Sequence, residues 1–565
     1  MSVVQAGVVP VSVVPVSVAP VNRVDVQVNR VGRSADRGDF RLPLPAALVL
    51  AAGAGAILDG GFPDRSWWIL APVGVLLMFL ALLGRRPGPA LLVGMVAGLS
   101  FWLIHISWIT LYLGPVPWLA LGGLEAIFFG VGLWLIAVVL NRGPLAWPTR
   151  WGRLGMVPLV VAGLWTAREA ISAVWPYGGF AWGRVAISQS ESPFAGLVAW
   201  VGMSGLSFLM VWLSALALQL LREVGWGVLA RWTVLTASVA LLLLVPAVSI
   251  AQSGEARIAA VQGASDAGLF ARYSPGQILA DHTSATLPLV GQPVDFVVWP
   301  ENGSDIDPTR SQDAADVLDY VSRAMVAPLI TGTITYRDGK YYNTSLLWKA
   351  GEGVTALYDK VHPVPFAEYM PDRAFWRPFA PELIDLISRD YQLGTQPNVF
   401  DVNGILAGIA ICFDIADDQL VHQMIDSGAT VILAQTNNAD FGHTDESVQQ
   451  LAIARLRAIE AGRTVVNIST VGSSAIIAPD GHTMDSLPTW VPGAMVQTVP
   501  LSTTLTPAMV AGRGIEWLVS GLGLAGLVFC LFFAPSARSD ARRRAEVASI
   551  RPVNAERTRR NRVRA

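Results

Sequence analysis

The sequence predicts a polytopic α-helical membrane protein, with about eight transmembrane helices, that carries a folded α/β domain on its extracytoplasmic side. Three observations predict it. Of 565 residues, 53% are hydrophobic and only 15% charged, with a mean hydropathy of +0.48, whereas soluble proteins are nearer a quarter charged. Eight apolar runs are long enough to cross a hydrocarbon core of about 30 Å. Between the seventh and eighth, the pattern changes to short apolar runs separated by turn residues and helical stretches. The 20 Trp and 20 Phe exclude a mainly disordered chain.

Residues 1–40 are rich in Val, Pro and Arg and contain a short repeat, Val9-Pro10-Val11-Ser12-Val13 followed by Val14-Pro15-Val16-Ser17-Val18. They have no basic segment leading into an apolar core and a small-residue cleavage site, so they are expected to be a disordered cytoplasmic extension rather than a signal peptide. Region 41–252 holds seven runs, at about 42–58, 66–84, 89–113, 117–140, 155–175, 194–221 and 227–250, the first being the shortest. The eighth run, about 514–534, falls in 510–535.

Arg37, Arg41, Arg85, Arg86, the arginines from Arg142 to Arg153, Arg222 and the tail 536–565 all fall on one side of these spans. The opposite connections carry Arg65 and Arg184 beside Asp59, Asp64 and Glu191. The positive-inside rule then places both termini in the cytoplasm and residues 253–502 outside. The tail has ten Arg against three acidic residues and is expected to be a cytoplasmic anchor attracted to anionic lipid, or a docking point for another membrane enzyme.

Residues 253–502 read as an α/β domain large enough for its own core. Strands are expected at Ala256–Val261, Phe296–Trp299, Leu329–Thr335, Leu346–Trp348, Ile405–Ile411 and Val431–Ala434, and helices at Asp313–Val326 and Glu446–Gly462. From Glu255 to Pro500 there are 29 acidic against 14 basic residues, an excess that argues against a nucleic-acid partner. The only cysteines are Cys412 and Cys530. Cys530 lies in the last apolar run, so no disulfide framework is expected. Arg is this chain's default cation, and only Lys340, Lys349 and Lys360 are lysines.

Two strands end in reactive side chains: Phe296-Val297-Val298-Trp299-Pro300-Glu301 and Gly408-Ile409-Ala410-Ile411-Cys412. Strand ends are where α/β sheets form their sites. A thiol attacks as thiolate and needs a base or a nearby cation. Glu301 can supply the base, and Lys360 a charge for a tetrahedral oxyanion. Taken singly, a Cys in an apolar strand reads as core, a Glu after Trp-Pro as a turn residue and a loop Lys as solvated. Their conjunction points to an enzyme.

Glu301, Lys360 and Cys412 stand in the order and approximate spacing of the Glu-Lys-Cys triad of the nitrilase (carbon–nitrogen hydrolase) superfamily. Lys360-Val361-His362-Pro363-Val364-Pro365-Phe366-Ala367-Glu368-Tyr369, Trp299-Pro300-Glu301 and Ile411-Cys412-Phe413-Asp414-Ile415 resemble motifs of the membrane-embedded apolipoprotein N-acyltransferases, as do the eight spans, over roughly residues 42–534. The resemblance implies an αββα sandwich in a bacterial cell membrane. It also implies a ping-pong reaction in which Cys412 takes an acyl chain from the sn-1 ester of a phospholipid. The chain then passes to the N-terminal amine of an S-diacylglyceryl-cysteine on a lipoprotein. Glu301 would be the base, and Lys360 with the N–H of Phe413 the oxyanion site. Glu368, Tyr369, Phe413 and Asp414 would meet substrate, Glu368 by orienting Lys360 or the amine, with a salt bridge that holds its loop as the alternative.

The sequence departs from the family where Phe413 and Asp414 replace Tyr and Glu, and where Asn438 and Asp440 replace Asp and Trp. No cofactor is expected, because transfer from an ester needs no external energy source. No metal is expected either, because the six His lack ligand spacing. His105, Arg168 and Glu169, inside spans, are further candidates for function or for helix pairing. A membrane-tethered amidase that hydrolyses small amides is the alternative activity, and a transporter with a regulatory domain a more distant one.

Overall fold

The computed structural model describes residues 41–534 apart from Val224, Asp266, Leu269 and Phe270. The expected N-terminal extension and basic tail lie outside the described residues. Its principal helices are α1 (Leu44–Asp59), α2 (Leu70–Leu82), α3 (Pro87–His105), α4 (Pro115–Ala146), α5 (Val157–Ser172), α6 (Val198–Arg222), α7 (Val228–Leu243), α8 (Gln277–Thr286), α9 (Gln312–Met325), α10 (Asp418–Asp426), α11 (Glu446–Ala461) and α12 (Gly514–Phe533).

Eight of these helices are apolar and fall on the eight runs. Among the described residues, five are long and apolar enough to cross a membrane: α3, α4, α5 and α6 with the turns that precede them, and α12. Helices α1, α2 and α7 have 16, 13 and 16 residues, about 20–24 Å at 1.5 Å per residue, which is less than the hydrocarbon core. The shortest is α2 rather than the expected first run, because turns occupy residues 60–68 and Gly84, at φ +67°, follows its end. The 32-residue α4 is about 48 Å long and must tilt or project beyond the core. The run at 89–113 is not one helix either: α3 stops at His105, whose carbonyl accepts a hydrogen bond from Gln449 Nε2 of α11.

Small residues let the spans approach closely. A Cβ on Gly163 of α5 would lie 2.3 Å from the Val519 carbonyl oxygen, and one on Gly523 of α12 would lie 2.4 Å from the Gly163 carbonyl carbon. The last helix therefore crosses α5 backbone to backbone, the geometry that substitutes for hydrophobic driving force in lipid.

The α/β domain has two six-stranded sheets. One runs β12-β1-β2-β3-β4-β5 and the other β11-β10-β9-β8-β7-β6. The strands are β1 (Gln252–Gln262), β2 (Phe296–Val298), β3 (Leu329–Arg337), β4 (Lys340–Lys349), β5 (Gly353–Asp359), β6 (Val399–Val402), β7 (Ile405–Ile411), β8 (Val431–Thr436), β9 (Thr464–Ser469), β10 (Ser474–Ile477), β11 (Thr483–Leu487) and β12 (Gly493–Ser502). Pairs β1–β2, β2–β3, β7–β8 and β8–β9 are parallel, and the central segments Ile258–Val261, Phe296–Val298, Ile405–Ile411 and Val431–Ala434 are apolar, as buried parallel strands require. Ile258, Phe296, Val298 and Ile330 of the first sheet meet Ile409, Ile411, Val431 and Val466 of the second in one buried layer. Helices α8 and α9 cover the outer face of the first sheet. Buried residues of α10 and α11 on the second share a continuous core with the apolar helices. The result is the expected α-β-β-α order, with one outer helical layer seated on the membrane-type bundle.

Replacing Gly523 with Leu drives a side chain into the α5 backbone. Overpacking of this kind costs about 1–3 kcal/mol, so the thermal unfolding midpoint of the detergent-solubilised Gly523→Leu protein should fall by several degrees. An unchanged midpoint would refute the α5–α12 crossing.

Candidate active site

Three strand ends deliver the triad. Glu301 follows β2 through Trp299 and Pro300, Lys360 follows β5, and Cys412 follows β7. The turn that carries Glu301 lies directly on β3: a Cβ on Gly332 would come within 2.7 Å of Glu301 Cα, so only glycine fits there. Gln435, wholly buried at the end of β8, ties the sheets together at this point by donating from Nε2 to the Trp299 carbonyl (2.6 Å) and accepting from Ser345 Oγ (2.6 Å). The Lys360 N–H extends the β4–β5 ladder to the Asn343 carbonyl at 2.8 Å.

The ammonium of Lys360 is 1% exposed and is shared by two carboxylates, Glu301 Oε1 at 3.3 Å and Glu368 Oε2 at 2.8 Å. Asn343 Nδ2 bridges the same pair from the other side, donating to Glu301 Oε1 at 2.8 Å and Glu368 Oε1 at 2.9 Å. Glu368 Oε2 also accepts from the Val364 N–H at 2.6 Å. Burial opposes the charge of Lys360, but Glu301 and Glu368 outweigh it and hold its pKa well above the ordinary range. Burial pushes Glu301 upward against the pull of Lys360. The Cys412 thiol is pushed well up by burial and then by Glu301, with Lys360 opposing. The thiol is therefore protonated at rest and must hand its proton to a base.

Cys412 has φ +51°, a conformation that costs a β-carbon-bearing residue on the order of 1 kcal/mol and that the surroundings must impose. Asp414 helps impose it. Oδ2 accepts from Tyr358 Oη (2.9 Å) and the Ile411 N–H (3.2 Å), and Oδ1 from the His362 N–H (3.3 Å). The carboxyl is fully buried, and burial lifts its pKa to about 6. Asp414, expected to meet substrate, accepts three hydrogen bonds from within the chain, which join the cysteine loop to Tyr358 and the His362 turn. His362 Nε2 reaches Asp417 Oδ2 at 3.0 Å, which links the Lys360 loop to the start of α10. Arg457, fully buried on α11, donates to the carbonyls of Ile415 (3.0 Å) and Ala416 (2.9 Å).

Phe413 is half-buried and stacks on two rings from the bundle, Phe180 and Trp182, each with a centroid separation of 6.0 Å. Trp182 and Trp108 donate their indole N–H groups to Gln449 Oε1 at 2.7 and 3.1 Å. The Tyr369 carbonyl accepts from the Phe366 N–H at 2.9 Å, closing the end of the Lys360 loop, and burial raises the pKa of its hydroxyl. Of the intramembrane candidates, His105 Nδ1 pairs with Asp59 Oδ1 at 3.0 Å. Glu169 Oε1 accepts from Trp165 and Arg168 of its own helix and from the Val185 N–H. Both Arg168 and Glu169 are buried, and the Arg168 guanidinium lies over the Phe129 ring of α4 at 4.1 Å.

The sequence reading missed Asn343. Its only signal there is a polar residue inside a strand-forming run, Tyr341-Tyr342-Asn343-Thr344, and its meaning depends on Glu301 and Glu368, which are distant in sequence. Among the described residues, no group of three His, Cys, Asp or Glu is placed to hold a metal ion.

Comparison with known proteins finds relatives over most of the chain. The pattern of the apolipoprotein N-acyltransferase N-terminal domain matches residues 54–216, and that of the carbon-nitrogen hydrolases matches residues 257–506. The apolipoprotein N-acyltransferase of Mycolicibacterium smegmatis is 31% identical over 561 residues, covering 91% of this chain and 90% of its own. That of Azotobacter vinelandii is 30% identical over 538 residues, covering 89% of this chain and 97% of its own. Among solved structures, an amidase from Nesterenkonia AN1 of the nitrilase superfamily aligns at 18% identity and a TM-score of 0.36, over 47% of this chain and 97% of that one.

A carboxylate takes a proton from a thiol only when ionised, so with Glu301 as the base of Cys412 the raised Glu301 pKa is expected to shift the acid limb of Cys412 acylation to higher pH. Asn343 donates to the ionised form. In Asn343→Leu the pKa should rise further, and the acid limb should move to higher pH. The burst rate with p-nitrophenyl acetate, followed against pH, reads both effects. An acid limb that stays in place in the variant would show that Asn343 does not tune the base.

Proposed function

This chain belongs to the apolipoprotein N-acyltransferase family, and on that premise we propose that it transfers a fatty acyl chain from a membrane phospholipid to the N-terminal amine of a lipoprotein's S-diacylglyceryl-cysteine, by way of a thioester on Cys412. It is an acyltransferase with a nitrilase-like domain on a bundle of apolar helices. One observation carries the choice of lipid substrates. The residue next to the nucleophile, Phe413, packs on Phe180 and Trp182 of the bundle, so the reacting sulfur sits where an acyl chain leaving the bilayer would arrive. A hydrolase of small amides has no need of that junction.

In the first half-reaction Glu301 takes the thiol proton and Cys412 Sγ attacks the sn-1 ester carbonyl. The oxyanion is met by the Lys360 ammonium and by the Phe413 N–H, which opens a 3-10 turn and so has no partner within it. The ester C–O bond breaks, Glu301 returns the proton to the departing glycerol oxygen, and lysophospholipid leaves. In the second half the neutral amine attacks the thioester. Glu301 takes a proton from the nitrogen as the C–S bond breaks and gives it to the sulfur. Lys360 remains charged throughout, because Glu301 and Glu368 hold its proton. Glu368 positions Lys360, and the excess of carboxylate over ammonium around it favours an approaching amine.

The proposed topology follows from charge. The α/β domain faces outward and both termini lie in the cytoplasm, where the basic tail meets anionic lipid. Consistent with it, Asp59, His105, Trp182 and Arg184 lie at the end of the bundle that meets the α/β domain, through Gln449 and Asp418.

Incubation of the purified protein with phospholipid should give an intact mass increased by one fatty-acyl group, absent in Cys412→Ala and lost on addition of a diacylated lipopeptide. An adduct discharged equally fast by buffer alone would favour a hydrolase. No adduct on folded, lipid-supplied protein would sink the acyl-enzyme.

A further inference from the structure

The mechanism above places no donor at the cysteine sulfur, yet one is present. Gln450 of α11 is 1% exposed, and its Nε2 donates toward Cys412 Sγ at 3.6 Å. A fixed sequence of donors decides which end of that amide faces the sulfur. Ser469 Oγ accepts from the Gly472 N–H at 2.9 Å and donates to Asn438 Oδ1 at 2.5 Å. Thr436 Oγ1 donates to the same oxygen at 3.2 Å. Asn438 presents Nδ2 on its other side, where it donates to Glu446 Oε2 at 2.7 Å and Gln450 Oε1 at 2.8 Å. With Oε1 occupied, Gln450 has only its N–H for the sulfur.

We propose that Gln450 is a further catalytic residue whose amide N–H stabilises the Cys412 thiolate, and that Asn438 is the positioning residue that fixes the amide's orientation. The inference rests on Cys412 being the nucleophile. A thiol or thioester sulfur accepts hydrogen bonds weakly and a thiolate strongly, so such a donor acts mainly when charge is on sulfur: at attack on the phospholipid ester and at departure from the thioester. The charged groups around the sulfur leave room for it. Glu301, Glu446 and Glu368 disfavour the thiolate, and Lys360 alone favours it. That ammonium is already committed to two carboxylates and to the oxyanion. A neutral donor adds thiolate stabilisation without using Lys360. It also accounts for Asn438, one of the positions where this chain departs from its family: four buried partners fix both ends of its amide.

The test is the second-order rate of Cys412 alkylation by iodoacetamide in the full-length, detergent-solubilised protein, read by peptide mass so that Cys530 is scored separately. Neither phospholipid nor lipoprotein is involved, so the result stands apart from success or failure of acyl transfer. Wild type is compared with Gln450→Met, which fills similar volume without a donor, and Gln450→Glu, which keeps the shape but at pH 9 offers only acceptors. The expected order is wild type fastest, Gln450→Met about tenfold slower and Gln450→Glu slower still. The carboxyl of Gln450→Glu slows alkylation by its charge whether or not the amide donates, so the deciding variant is Gln450→Met, for which a purely structural role predicts a rate near wild type. A rate in Gln450→Met equal to or above wild type overturns the proposal.

Discussion

Lys360 has its ammonium buried and held between Glu301 and Glu368, and this is the constraint on which the rest of the site depends. An isolated buried ammonium would lose its proton, and either carboxylate left alone there would hold one. Together, with Asn343 donating to both carboxylates, they remain a charged set in a dry place. That arrangement demands four separate chain segments in register, since Glu301 follows β2, Asn343 lies on β4, Lys360 follows β5 and Glu368 comes from the loop beyond. The close approach of the Glu301 turn to Gly332 and the Gln435 tie between sheets follow from that demand.

The cysteine comes from the other sheet, and its loop is held from beneath by charge. Arg457 binds the carbonyls of Ile415 and Ala416 and also Asp418 and Glu460. Arg184, from the bundle, holds Asp418 in a two-pronged grip at 2.9 and 2.8 Å. Glu460 Oε1 accepts the Met203 N–H just past Gly202, which at φ +68° kinks α6. Buried ion pairs of this kind add little net stability against apolar packing, but they specify a geometry. Here they fix the nucleophile loop relative to the helices, as Gln449 does with two indoles and the end of α3. The α/β domain is thus not a tethered soluble enzyme: the layer that carries the cysteine loop shares its core with the bundle.

This joint construction suits a reaction between two lipids. A thioester is stable in proportion to the water kept from it and reacts with an amine that is held beside it. Beside Cys412, Phe413 stacks on Phe180 and Trp182, and two carboxylates share the single ammonium of Lys360.

Much of this was legible in the residues taken in order. Continuous apolar runs identify membrane-type helices because lipid solvates every face of a helix alike. Strands β2 and β7 are short, apolar and bounded by turns, so Glu301 and Cys412 were visible as strand ends, and the stretch from Lys360 to Tyr369 was distinctive enough to bring Lys360 and Glu368 with it. Strands β5, β6, β11 and β12 were not legible, because a mixed polar pattern reads as strand only beside a partner, and the interior β9 and β10, short runs carrying Asn467 and Ser474, were missed as well. Nor were the ends of every apolar helix: α3 stops at His105, whose carbonyl accepts from Gln449 Nε2, more than three hundred residues later. Asn343, Gln450 and the inward turn of Asp414 belong to the same class. What the sequence determined alone is what local periodicity and a chemically distinctive side chain can carry. Tertiary structure decided which buried amide or carboxylate faces which, because hydrogen bonding depends on distance in space and that distance is not written along the chain.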